Sequence, residues 1–127
     1  MVKTFWDMYG EQGFIGGAYT FYHITPKENV DSIKVLGLQI GREVAGQGYA
    51  GTTVPGIYLL EDEEFIQDYI EQFKSLGLGS EFAIVEVRLP FDWTGEQDET
   101  GISAIVTYSD IPIYWITSIK DEYGAKL

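Results

Sequence analysis

Between Phe21 and Val30 the chain changes period, and that change constrains the fold more than any other feature. Ala18 to Ile24 alternates, with Tyr19, Phe21 and His23 on one face and Thr20, Tyr22 and Ile24 on the other. A period of two is that of a strand. The alternation stops at Thr25-Pro26-Lys27-Glu28, which reads as a helix start. Thr25 takes the N-cap, Pro26 the first helical position and Glu28 the third, the arrangement of a capping box. Val30, Ile33 and Leu36 then supply an apolar stripe, and Gly37 stands where a left-handed residue ends a helix. His23, the single histidine, therefore sits near a strand end beside the backbone N–H groups of a helix start.

A second unit follows the same plan. Ile57-Tyr58-Leu59-Leu60 is a short apolar strand, and a helix is predicted from about Glu61 to Leu76. Phe65, Ile66, Tyr69, Ile70 and Phe73 form its stripe. Glu61, Asp62, Glu63 and Glu64 crowd its N-terminal end, where the helix dipole favours acids. Lys74 and Gly77 mark its end.

The remaining chain is richer in strands. Phe82 to Leu89 alternates, with Ala83, Val85, Val87 and Leu89 on one face, and Pro90 ends it. Phe91 to Gly101 reads as an acidic, turn-rich loop, and Ile102 to Tyr108 as a strand. Ile113 to Ile119 reads as a closing strand, or a short helical turn leading into one. Residues 1–17 read as an N-terminal arm and Gly-rich loop, 120–127 as a tail, and Leu38 to Pro55 as a long polar connection of the kind that often serves as a lid or binding loop. The order is roughly β-α-loop-β-α-β-β-β, an α+β pattern with helices early and strands late. At 127 residues, this predicts a single compact domain.

Composition narrows the chemistry. With no cysteine and one histidine, the chain has neither a disulfide framework nor a His/Cys cluster for a transition metal, and no metal is expected. Eight basic against 20 acidic residues give a net charge of -12, which repels phosphate backbones and favours a basic partner. No run of about 18 apolar residues occurs, so no membrane partner is expected and a cytoplasmic or host-cytoplasmic location is.

Three blocks together resemble the ADP-ribosyltransferase-fold family. The first is Tyr22-His23-Ile24-Thr25 followed by Asn29-Val30, Ser32-Ile33 and Gly37-Leu38; the second is Gly56-Ile57-Tyr58-Leu59. The third is Ala104 to Tyr108 followed by Ser109-Asp110-Ile111-Pro112. The likeness spans about residues 19 to 119 and is closest to the DarT-like group, with a looser similarity to RNA 2′-phosphotransferases. It implies split antiparallel sheets with two main helices, and NAD as substrate. It assigns His23 and Thr25 to the nicotinamide-side ribose and Tyr58 to stacking on nicotinamide. Arg42, in the connection after Gly41, would clamp the pyrophosphate through its guanidinium fork.

Such transferases place a glutamate at the start of the late strand, to stabilise positive charge as the glycosidic bond ionises. Ala104 or Ser103 occupies that place here, which leaves Glu96 or Glu99 of the preceding loop to substitute, with Glu99 the candidate acid. The 2′-phosphotransferase branch needs several basic residues, whereas Arg42 and Arg88 are the only arginines. Two functions follow as expectations. One is NAD-dependent transfer of ADP-ribose to a protein or nucleic-acid acceptor. The other is a non-catalytic acidic interaction protein on the same fold, of viral or mobile-element type, that binds a basic host partner or mimics nucleic acid.

Overall fold

The computed structural model describes residues 1–40, 56–97 and 104–127. It is an α+β domain built on one antiparallel sheet. The strands are β1 (Lys3–Thr4), β2 (Ala18–Pro26), β3 (Ile57–Leu60), β4 (Phe82–Pro90), β5 (Thr94–Gln97), β6 (Ala104–Thr107) and β7 (Ile116–Asp121). Their order across the sheet is β1-β5-β6-β3-β2-β4-β7. The helices are α1 (Phe5–Tyr9), α2 (Val30–Leu36) and α3 (Ile66–Ser75).

The sheet has two unequal kinds of join. β2 and β4 pair along nine residues, from Ala18↔Pro90 to Pro26↔Phe82. β3 and β6 pair along their whole length. Between β2 and β3, however, the ladder holds one pair, Tyr22↔Leu60. Where the resemblance implies split sheets, the strands form one hydrogen-bonded sheet with a one-pair seam, β2, β4 and β7 on one side and β3, β6, β5 and β1 on the other.

Alternation sends side chains to both faces. Phe21, Ile57, Leu59, Val85, Val87 and Ile105 face α1, α2 and the Leu38 and Ile111 side chains. Ile24, Tyr58, Leu60, Phe82 and Val106 face α3, whose Ile66, Ile70 and Phe73 are buried against them. Burial of such a side chain contributes about 1.5–3 kcal/mol, enough for three of them to hold a helix too short to persist alone. Gly37 ends α2 at φ 73, and a Cβ there would stand 2.3 Å from the Ile111 carbonyl oxygen. That close approach lets Leu38 and Ile111 exchange backbone hydrogen bonds of 2.9 and 2.8 Å, tying the end of α2 to the turn after β6.

Several expectations change. The arm at Phe5 is a helix, capped by Thr4 Oγ1 accepting from the Asp7 N–H at 3.1 Å. The acidic loop contains β5, which pairs with both β1 and β6. β2 runs on through Thr25 and Pro26, so Thr25 is a strand residue; a 3-10 turn at Lys27–Asn29 precedes α2. The helix expected from Glu61 begins as a 3-10 turn at Glu63–Phe65, where Asp62 Oδ1 accepts from the Glu64 N–H. The tail folds back on β7: the Leu127 N–H donates to the Ile119 carbonyl at 2.9 Å.

Candidate functional site

His23 stands at the seam. Its Nδ1 lies 2.8 Å from the Tyr58 carbonyl oxygen, across from β2 to β3. A carbonyl only accepts, so Nδ1 carries the proton. The imidazole therefore makes a cross-strand link beside the one backbone pair that joins the halves. His23 is 1% exposed, Thr25 0% and Tyr58 3%. Thr25 Oγ1 accepts from the Asn29 side-chain amide at 3.1 Å, which ties the end of β2 to the turn before α2.

The structure brings His23 and Tyr58 together through a backbone atom. Their rings belong to opposite faces. Tyr58 packs with Leu60 and Ile24 under α3, whereas His23 alternates with Ile24 and shares the face of Tyr19 and Phe21. Arg42, Glu99 and Ser103 lie outside the described residues. Glu96 belongs to β5, where its carboxylate pairs with the N-terminal amine of Met1 and accepts from the Tyr108 hydroxyl. Those two hydrogen bonds hold its carboxyl below the usual carboxylate range. Arg88 Nη2 donates to the Ile15 carbonyl.

His23, Thr25 and Tyr58 line neither of two clefts in the fold. A cleft of about 410 Å³ opens at one end of the seam. Thr20 and Phe21 line it from one half of the sheet, Glu61 and Gln97 from the other, and Tyr9 from α1. Its volume falls in the range of small-ligand sites. The Tyr9 hydroxyl donates to Glu61 Oε1 at 2.5 Å. Burial, and then the Glu61 carboxylate, raise the Tyr9 pKa well above its ordinary value, so the hydroxyl remains a donor. Neither residue is marked in the sequence: Glu61 reads as one of four acids at a helix start, and Tyr9 as part of an arm. Register supplies the missing signal, since Glu61 directly follows the Leu60 that pairs with Tyr22.

A second cleft, of about 360 Å³, lies on the α3 face between α3 and β7. There the Tyr22 hydroxyl donates to Glu63 Oε1 at 2.5 Å, and burial followed by Glu63 raises the Tyr22 pKa. Among the described residues no group of three or more His, Cys, Asp or Glu side chains is placed to hold a metal ion. No described helix is long and apolar enough to cross a membrane. No family model, curated protein or solved structure matches the chain.

Proposed function

We propose that this chain is a non-catalytic binding domain on an ADP-ribosyltransferase-like fold, and that it engages a basic protein partner. One observation carries the reading. The side chains that the resemblance assigns to NAD, those of His23, Thr25 and Tyr58, are buried, and the two rings face opposite sides of the sheet. A ribose hydroxyl needs a reachable hydrogen-bonding atom, and a nicotinamide ring needs an open aromatic face. These three residues instead act as ties between β2, β3 and the turn before α2. The charge supplies the partner class. The described residues include 17 of the 20 acidic side chains, since Glu43, Asp98 and Glu99 lie outside them, and form two ion pairs, Met1–Glu96 and Lys74–Glu122, so most of these 17 carboxylates have no cationic partner among the described residues.

The alternative, NAD-dependent ADP-ribosyl transfer, is favoured by the cleft at one end of the seam, which draws lining residues from both half-sheets. Calorimetry separates the readings. The binding reading expects an arginine-rich peptide to bind at low salt and weaken as salt is added, with no heat from NAD at millimolar concentration. Saturable NAD binding, together with label transfer from NAD that His23→Ala abolishes, would overturn it in favour of the transferase.

A further inference from the structure

We infer that the seam cleft is a receptor for one arginine side chain of a basic protein partner, with Glu61 as the group that recognises the guanidinium. The inference rests on the binding reading above and assigns its anchor point. Among the described residues that line the cleft, Glu61 is the one formally charged side chain. The Tyr9 hydroxyl holds Oε1 at 2.5 Å, which fixes the carboxylate without neutralising it. Among the described residues Glu61 forms no ion pair. A guanidinium carries donors and no acceptor, and it suits a site made of acceptors. The side-chain amides of Gln12 and Gln97 offer two further oxygens around the same space. Met8 and Tyr9 supply apolar and aromatic surface on which a planar cation can lie. An anionic ligand fits poorly: among the described residues that line this cleft, a phosphate would meet a carboxylate and no lysine or arginine. The net charge of -12 raises the local concentration of cations at the same surface.

The test uses the whole chain and two matched peptides. A short Gly-Ser peptide carrying one arginine is titrated by calorimetry against its citrulline twin, which keeps the shape and loses the charge. The arginine peptide is expected to bind and the citrulline peptide not. Glu61→Gln, an exposed and isosteric change, is expected to weaken the arginine peptide by about tenfold or more, since hydrogen bonds to a charged group are the strong ones. Tyr9→Phe, which frees the carboxylate to rotate, should weaken it less. Equal binding of both peptides, no binding of the arginine peptide, an unchanged affinity in Glu61→Gln, or displacement of the peptide by NAD would each overturn the assignment. An oligo-arginine peptide is the separate arm for the parent reading. If wild type and Glu61→Gln bind it alike in a salt-dependent way, the basic-partner reading stands and the cleft assignment falls. If wild type does not bind it at low salt, both fall.

Discussion

At the scale of single residues, His23 is the group whose role depends most on what surrounds it. Its place on β2 and its face follow from the alternation of Tyr19, Phe21 and His23. Whether that face is open or covered does not follow, because a period of two carries no information about what packs on top. Thr25 shows the same limit. The pattern Thr-Pro-Lys-Glu has the chemistry of a capping box, but continued pairing of Thr25 with Ala83 keeps it in the sheet. With its Nδ1 bonded across the seam and its ring buried, His23 is expected to act on stability. His23→Ala removes a buried ring and leaves the Tyr58 carbonyl without that donor. The expected loss is about 2–4 kcal/mol, read from urea unfolding. His23→Gln, which retains an N–H donor, should lose less. A loss below about 1 kcal/mol for the alanine variant would show that the imidazole does not hold the seam.

At the scale of elements, the strongly periodic segments were legible and the weakly patterned ones were not. β2, β4 and α3 announce themselves by alternation or by a stripe, and all three are present. β5 is Thr94-Gly95-Glu96-Gln97, which has no apolar period; it exists because β1 and β6 offer their edges to its backbone. The C-terminal tail was equally silent. There Glu122, 8% exposed, accepts from Lys74 Nζ through Oε1 and from the Phe82 N–H through Oε2, and its carbonyl accepts from Gln67. These bonds join the tail to α3 and to the start of β4. Burial alone would raise the Glu122 pKa, but the Lys74 hydrogen bond and the Phe82 N–H bring it net below its ordinary value. A carboxyl with a depressed folded pKa contributes stability above its unfolded pKa, and that contribution is lost as pH falls through the folded value. The window here opens near the ordinary glutamate value and runs downward. Glu122→Gln is therefore expected to be less stable than wild type at neutral pH, with the gap closing below about pH 4. Urea midpoints of both proteins across the acid range measure it, and a gap that stays constant with pH would rule out the ionised contact as its source.

At the scale of the whole molecule, charge and fold pull in opposite directions. A net charge of -12 on 127 residues repels itself in the compact state, and that repulsion is long-ranged at low salt. The Debye length falls from about 30 Å at 0.01 M to about 3 Å at 1 M. Added potassium chloride should therefore raise the thermal midpoint at neutral pH, by at least about 3 °C for a repulsion of order 1 kcal/mol in a domain of this size. The same salt weakens the two ion pairs, but Met1–Glu96 is exposed and is worth little. Self-repulsion thus has the larger share in the salt response. Acid provides the control. Near the sequence isoelectric point of about 4.2 the net charge vanishes, and the stabilisation by salt should vanish with it. A midpoint that falls with salt at neutral pH, or a rise that persists unchanged at pH 4.2, would mean that surface repulsion is not what limits this fold. Either result would also weaken the argument for a basic partner, because a surface that is not electrostatically strained gains little from being covered by positive charge.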